Sequence, residues 1–487
     1  MAWVSEHWLA CVLLAAYTTM LLVNAWIGSR ASSGMAGYYV GERNMSGVVI
    51  GISFFATFAS TNSYIGHAGK GYAYGLPWMF MAATLVLFTY VSWRWVGPKL
   101  SAFARQFDAL TIPDFLGSRF LGRNDDARHA VRWVSALVIV LASVLYLIAI
   151  FKGAGHLFQM FLGISYASAV GITLVIVVLY TSVGGFVSVV RTDVMQGILM
   201  LIGAVLIFFF VTQAAGGVGS IGKLATMPDK AFLFELNGGI PFAVLMGISL
   251  SGALKLLVDP RQLSRFYALK DEHEAKKGIW VALIGLLIVQ ACLFPVGIYA
   301  HLILSGVTDT DLIVPTLVAD ASIFPIWAGD FLIVAIVAAA MSSMDSVLLV
   351  AASTFHKNLV ENVRPTSNPV GWTRWAVVGF AVVAAVLALN PPADIVEITI
   401  FSGSLYAVCF LPAVLFGLHS DRGGARSVLA SMGAGVSVLF LWFLLDLRGV
   451  LHEVFPALLA SVSAFLWQAR KERQEKEGLT LGSDPGV

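Results

Sequence analysis

The sequence predicts an all-α polytopic membrane protein with about thirteen transmembrane helices. The chain has 487 residues, of which 58% are hydrophobic and 12% are charged. Soluble domains carry about 25% charged residues, so this chain has too few charges to cover a surface that faces water. The composition therefore excludes a soluble enzyme, a nucleic-acid binder and a disordered scaffold, and leaves a chain that is embedded in a lipid bilayer.

Apolar runs of about 20 residues, the length that spans a bilayer, recur along the whole chain. The predicted membrane segments are 8–28, 46–68, 76–97, 130–152, 156–180, 192–214, 240–262, 278–304, 325–357, 373–390, 395–418, 426–446 and 450–468. No Lys or Arg precedes the first segment, whereas a signal peptide begins with basic residues. We therefore expect an uncleaved first helix with the N-terminus outside.

The distribution of basic residues supports an odd number of crossings. With the N-terminus outside, 24 Lys and Arg residues fall in inside loops and 5 in outside loops, and Lys255 falls within a membrane segment. Inside loops are enriched in Lys and Arg, and one missing segment would reverse every later loop. The C-terminus is therefore expected inside. The residues after about 470 are expected to form a short, charged and disordered tail.

The first unusually polar membrane segment is 54–66, which has five hydroxyl side chains and one amide within ten residues. Hydrogen-bonded packing of small residues between helices is one explanation. An unwound helix explains this density of polar side chains better, because its freed carbonyls bind a small cation and its hydroxyls contact a solute.

The second polar segment carries a face of small and hydroxyl residues. At 100° per residue this face contains Ala339, Ser342, Ser343 and Ser346. Hydroxyl and carbonyl oxygens suit hard cations of the Na⁺ type. Small-residue packing alone does not explain the neighbouring Asp345, because a carboxylate within the membrane is costly and is typical of a functional site.

The third polar segment, 247–260, contains two glycines, two serines, Lys255 and Pro260. A proline inside a helix removes a backbone hydrogen bond and kinks or breaks the helix. Lys255 either reaches the inner interface or lies buried, where its ammonium needs an anionic partner. A substrate carboxylate would be such a partner, and Asp259 is the competing one.

Two motifs resemble those of the sodium/solute symporter family, which includes the sodium/proline, sodium/pantothenate and sodium/glucose cotransporters. The pattern YT-x-x-GG…TD-x-x-Q runs from Tyr180 to Gln196, and the pattern A-x-x-SS…DS runs from Ala339 to Ser346. The resemblance covers about residues 40–420 and is specific for the family but not for a substrate.

The resemblance implies a LeuT-like fold with thirteen helices and two inverted five-helix repeats, in which the first and third polar segments are the paired broken helices. The predicted units are a first transmembrane helix with an inner loop at 1–44, the first repeat at 45–215, an outer loop at 216–239, the second repeat at 240–418, and two peripheral helices with a short cytoplasmic tail at 419–487.

The resemblance also implies the positions of the sites. The main sodium site would use the carbonyls of Ala56, Ala59 and Ala339 and the hydroxyls of Ser342 and Ser343. A second cation site would use Asp193, Ser342, Asp345 and Ser346. Asp345 replaces a hydroxyl of the family pattern, and this departure leaves the identity of the second ion open between Na⁺ and a proton. The solute is expected beside Ser60, Thr61, Ser63, Lys255 and Tyr406.

The sequence thus predicts a sodium-coupled symporter that imports a small organic monocarboxylate across the plasma membrane by alternating access. Na⁺ is the expected coupling ion, and the expected partners are an anionic solute and the lipid bilayer, without nucleic acid or an obligate protein partner. The alternatives are a proton-coupled or sodium-independent transporter of the same fold, and a solute sensor. An enzyme is not expected, because the membrane segments contain no metalloprotease, aspartate-protease or serine-protease motif.

Overall fold

A computed structural model describes residues 7–31, 34–120 and 125–481. Within these ranges the chain is almost entirely helical, and Met45 and Leu269 form an isolated β-bridge. The helices that carry the argument are α1 Trp8–Ala31, α2 Gly47–Phe58, α3 His67–Tyr74, α4 Met79–Val91, α5 Gly97–Gln106, α6 Ile112–Arg119, α7 Asp125–Leu162, α8 Tyr166–Ala214, α9 Phe242–Val258, α10 Pro260–Ala268, α11 Glu272–Leu293, α12 Ile326–Thr354, α13 Pro369–Ala388, α14 Ile395–His419, α15 Ala425–Leu444 and α16 Val454–Leu481.

The described helices confirm a multi-pass, all-helical architecture. Ten of them are long and apolar enough to cross a bilayer, and the bent pair α2 and α3 adds an eleventh crossing. Helix α8 has 49 residues, a length of about 74 Å, which is enough for two crossings of a hydrocarbon core about 30 Å thick. The total of thirteen and the side of each terminus stay predictions, and residues 1–6 and 482–487 lie outside the described residues.

The kink within α8 lies at Gly185, the second glycine of the YT-x-x-GG motif. Gly185 has φ +66° and ψ −172°, a backbone conformation that is essentially restricted to glycine. A Cβ at this position would lie 2.7 Å from Cδ2 of Tyr38. The glycine therefore permits both the change of direction and the close approach of the tyrosine ring.

Gly185→Ala should destabilise the protein by about 1–3 kcal/mol, because alanine must adopt a strained conformation against Tyr38. The matched control is Gly171→Ala in the same helix, where a Cβ meets no atom within 4 Å and helix propensity favours alanine. Thermal unfolding in detergent measures both variants. Equal melting temperatures for the two would contradict this role of Gly185.

Three predicted boundaries are wrong. Helix α7 continues to Leu162. The break that was predicted after residue 152 therefore lies at 163–165. Helix α9 is continuous to Val258, so that most of the third polar segment is helical and the break falls at Asp259, before Pro260. Helix α16 continues to Leu481 where a disordered tail was expected, because its charged residues extend the helix beyond the apolar part.

Helix α12 forms the centre of the protein. Every residue from Leu332 to Thr354 is buried, and the helix packs against α1, α2, α7 and α8. The serine face of α12 is therefore surrounded by protein rather than lipid. The polar sites can form here because their partners come from the neighbouring helices.

Candidate ion and solute sites

The first candidate site begins at the interruption between α2 and α3, which bend by 57° relative to each other. Ala59 has extended backbone angles after the end of α2. The amide of Ser60 then donates to the hydroxyl of Ser63 at 3.4 Å instead of continuing the helix. Such a break presents the carbonyls at the end of α2, including those of Ala56 and Ala59, as ligands.

Ser343 of α12 lies against this break. Its hydroxyl donates to the carbonyl of Thr57 at 3.0 Å and approaches the carbonyl of Ala59 at 3.5 Å. Ala339, which carries another predicted carbonyl ligand, is fully buried one turn earlier on α12. The structure therefore brings together the broken helix and the serine helix that the sequence assigned to one sodium site.

Ser342 points to a different group. Its hydroxyl donates to Oδ1 of Asp193 at 2.7 Å. Asp193 was expected at the start of a helix, but it lies within the second half of α8 and is fully buried. Its other oxygen, Oδ2, accepts from Ser53 at 2.5 Å and from Thr57 at 3.3 Å. Asp193 thus joins α8 to both α2 and α12.

The guanidinium of Arg265 fills the centre of the predicted second cation site. Its Nη2 donates to Asp193 at 2.9 Å, to the hydroxyl of Thr57 at 2.7 Å and to that of Ser346 at 2.6 Å. Its Nε donates to Ser53 at 3.1 Å. A buried carboxylate is stabilised by such a paired and hydrogen-bonded cation.

Asp345 differs from Asp193 because no cation neutralises it. It is fully buried, and it accepts from Ser346 at 3.3 Å and from Tyr180 at 3.4 Å. Among the residues that the structure describes, no Lys, Arg or His nitrogen lies within 4.0 Å of its carboxylate. The cluster of Asp193, Asp345 and Arg265 therefore has one unmatched negative charge when both carboxylates are ionised.

The predicted solute site is organised around Tyr146 of α7. Nζ of Lys255 lies 4.0 Å from the centre of its ring, and Cζ of Arg261 lies 4.0 Å from the same centre. The phenol hydroxyl donates to Ser60 at 3.2 Å. Cation–π contacts of this kind stabilise a desolvated cation. Tyr146 thus connects the broken helix to Lys255.

Asp259 is held by Arg261 more closely than by Lys255. Nη2 and Nε of Arg261 donate to Asp259 at 2.5–3.1 Å, whereas Nζ of Lys255 lies 3.9 Å from its Oδ2. The three charged groups are nearly or fully buried. With Lys255 protonated, this cluster has two positive charges and one negative charge, which is a net attraction for an anion.

Of the remaining predicted solute residues, Tyr406 and Ser63 have hydrogen-bond partners within the protein, and the hydroxyl of Thr61 has none among the described residues. The hydroxyl of Tyr406 is 3.1 Å from that of Ser143, which lies one turn before Tyr146 on α7. Ser63 accepts from the amide of Ser60. Thr61 is buried and its hydroxyl has no hydrogen-bond partner within the described ranges.

Several other buried polar atoms lack a hydrogen-bond partner among the described residues. They include Nη1 of Arg261, Oδ1 of Asn62, Nδ1 of His67 and both amide atoms of Gln262. An unsatisfied buried polar atom costs about 1–3 kcal/mol. Atoms of this kind mark places that water or a ligand occupies, and here they belong to the broken helix and to α10.

Sequence reasoning missed Tyr146, Arg261 and Arg265. The two arginines were assigned to an inside loop, which is wrong: they are 2% and 0% exposed on α10, which packs inside the protein. The two arginines follow Pro260 and are four residues apart, a spacing that places both on one helical face. This spacing was the signal in the sequence that could have identified them. Tyr146 lies in a uniformly apolar run, so that nothing in the sequence distinguishes it.

The chain matches the sodium:solute symporter family over residues 38–435. It is 29% identical to the sodium/pantothenate symporter of Haemophilus influenzae over 437 residues, which cover 88% of this chain and 89% of the relative. It is also 29% identical to a sodium/proline symporter of Staphylococcus aureus over 483 residues, covering 94% and 92% of the two chains.

Solved structures show similarity of fold. The chain resembles a Na⁺-coupled sialic acid symporter in its substrate-bound outward-open state with a TM-score of 0.77 and 19% identity, covering 95% of this chain and 98% of the other. A nucleobase-cation-symport-1 family transporter in a closed conformation has a TM-score of 0.54 at 13% identity, with 89% and 95% covered. These likenesses confirm the predicted LeuT-like fold.

Proposed function

We propose, from the premise that the chain belongs to the sodium:solute symporter family, that it imports a small organic monocarboxylate together with Na⁺. Membership makes the chain a multi-pass transporter of the plasma membrane rather than an enzyme. It also makes Na⁺ the co-transported ion and a small molecule the solute. The identity of the solute and the residues that bind it are the proposal.

The charge of the Tyr146 cluster carries the proposal for the solute. Lys255 and Arg261 share one tyrosine ring, and among the described residues only the carboxylate of Asp259 lies within 4.0 Å of either cation. A solute carboxylate beside Lys255 would remove the excess positive charge at a buried position. One carboxylate suffices for this, which favours a monocarboxylate over a dicarboxylate or a neutral sugar.

Sodium binds, in this proposal, at the carbonyls of Ala56, Ala59 and Ala339 and at the hydroxyls of Ser342 and Ser343. The solute then binds beside Ser60, which follows Ala59 directly in the chain, and beside Tyr146, whose hydroxyl donates to Ser60. Movement of one Na⁺ through 100 mV releases about 2.3 kcal/mol, which drives accumulation of the solute.

A second coupled cation is proposed at Asp345, with Asp193 and Ser346 as its neighbours. Arg265 already neutralises Asp193, so the cation that compensates Asp345 is either Na⁺ or H⁺. An ionised, buried carboxylate of Asp345 is energetically unfavourable without such a cation. This unmatched charge is the observation that favours a proton-coupled step as the second candidate.

Thermal stability of the purified protein tests the solute and the coupling ion together. Small monocarboxylates, pantothenate, proline and sugars are added with and without Na⁺. A ligand at 100 times its dissociation constant adds about 2.7 kcal/mol of stability. We expect a monocarboxylate to stabilise the protein only when Na⁺ is present; stabilisation by a sugar alone would reject the solute, and stabilisation without Na⁺ would reject sodium coupling.

Ser343→Ala should raise the Na⁺ concentration for half-maximal uptake about tenfold, since loss of one ligand worth about 1.4 kcal/mol corresponds to that factor. The matched control is Ser353→Ala on the same helix, whose hydroxyl donates only to the carbonyl of Val350. Uptake into vesicles at varied Na⁺ measures the change. An unaltered Na⁺ requirement in Ser342→Ala and Ser343→Ala would reject the assigned site.

Asp345→Asn should remove one coupled positive charge per solute, because the neutral amide no longer requires a compensating cation. The measurement is the number of charges moved per solute, obtained from reversal potentials in proteoliposomes at set Na⁺ and pH gradients. If the reversal potential of the variant no longer depends on the pH gradient, the ion that compensates Asp345 is a proton. If the variant moves one Na⁺ fewer per solute, that ion is Na⁺. Unchanged stoichiometry in both gradients would contradict the proposal.

A further inference from the structure

A groove of about 820 Å³ lies on the flank of the protein, apart from the ion and solute sites. It runs between the C-terminal part of α14, the junction of α4 and α5, and α16. Its apolar wall is formed by Leu411, Leu415, Phe416 and Val462. The predicted topology places this end of α14 at the inner face of the membrane.

Two cationic side chains lie at the edge of the groove. Arg94 and Lys99 are exposed and line it, and neither has a carboxylate within 4.0 Å in the part of the chain that the structure describes. Nζ of Lys99 lies 2.9 Å from Nδ1 of His419, whose Nε2 lies 3.1 Å from the carbonyl of Trp95. An ammonium only donates and a carbonyl only accepts, so His419 is neutral with its proton on Nε2, and the charge of Lys99 is not compensated.

The groove is a built feature of the packing between α14 and α16. Pro412 lies inside α14, and a proline leaves the carbonyl four residues earlier without its helical partner. That carbonyl, of Val408, accepts instead from the hydroxyl of Ser461 on α16 at 2.6 Å. This hydrogen bond holds the two helices together at one end of the groove.

Trp95 marks the depth of the groove in the membrane. Its side chain is 59% exposed and lines the groove between the two cations in the sequence. Exposed tryptophans are enriched at the level of the lipid headgroups. The cations are therefore at headgroup level, and the apolar wall is at the level of the acyl chains.

We propose that this groove binds an anionic phospholipid of the inner leaflet. Its phosphate lies between Arg94 and Lys99, and one acyl chain lies against Leu411, Leu415 and Val462. Basic pockets between transmembrane helices on the cytoplasmic side recognise anionic headgroups. In the described ranges, this edge places two cations without a carboxylate partner beside an apolar wall, which matches the headgroup and the acyl chain of one lipid.

Native mass spectrometry of the full-length protein, titrated with phosphatidylglycerol or phosphatidylcholine of identical acyl chains, tests the proposal. We expect the parent protein to bind phosphatidylglycerol at least about tenfold more tightly. The double variant Arg94→Gln, Lys99→Gln should lose at least about fivefold in affinity for phosphatidylglycerol. The control variant Lys270→Gln, Arg364→Gln removes two exposed inside cations away from the groove and should bind as the parent does.

A second variant, Leu415→Trp, fills the apolar part without changing charge and should weaken the binding of both lipids. Equal affinity for the two lipids, or unchanged affinity in both groove variants, would overturn the proposal. Displacement of the lipid by inorganic phosphate alone would identify a simple anion site instead. A dimer that dissociates in Leu415→Trp would show that a second copy of the chain covers the groove.

Discussion

Lys255→Ala should lower the affinity for the solute by at least about 30-fold, because truncation of one partner of a buried charge pair costs about 2–5 kcal/mol. The remaining cluster of Arg261 and Asp259 is electrically neutral, so the variant should also lose its preference for carboxylates over neutral analogues. Thermal stabilisation by the solute in the presence of Na⁺ measures the affinity.

Two further variants separate solute binding from a structural role of Lys255. Lys223→Ala removes an exposed lysine of the connection between α8 and α9 and should bind the solute as the parent does. Lys255→Arg keeps the charge and should retain part of the affinity. If Lys255 only supported Asp259, then Lys255→Ala would melt earlier but keep the same solute affinity and the same order of solutes.

Arg265→Met should be the most destabilising single substitution considered for this protein, by about 3–5 kcal/mol. The change removes the donor of four hydrogen bonds to Ser53, Thr57, Asp193 and Ser346. It also leaves the carboxylate of Asp193 without its counter-charge at the centre of the protein. Thermal unfolding in detergent at constant Na⁺ measures the loss.

The double variant Arg265→Met, Asp193→Asn should recover part of this stability, because it removes the uncompensated charge together with its partner. Recovery beyond the sum of the single changes measures the coupling of the two residues. Arg364→Met, at an exposed position between α12 and α13, is the matched control. A single variant as stable as this control, or purely additive single changes, would show that Arg265 does not compensate Asp193.

The broken helix was predictable because its signal is local. A membrane segment with hydroxyls at 57, 60, 61 and 63 contradicts the composition of an ordinary lipid-facing helix, and the break indeed follows Ala59. The paired segment was predicted less well. Its glycines and serines pack against neighbouring helices instead of unwinding, as Gly247 does against Phe455 of α16. The helix is interrupted at Asp259, before Pro260.

Composition, hydropathy and short motifs by themselves determined that this chain is a helical membrane transporter with a serine-lined α12 and a lysine, Lys255, within a membrane segment. Each of these follows from residues that are near one another in the sequence. The tertiary structure alone decided that Arg261 and Arg265 are buried, that Tyr146 joins Lys255 to Ser60, and that Asp193 is paired while Asp345 is not. The counter-charge of Arg265 comes from Asp193, which is 72 residues away in the chain and on another helix. A hydropathy pattern does not detect such a pair and therefore assigns the arginine to a loop.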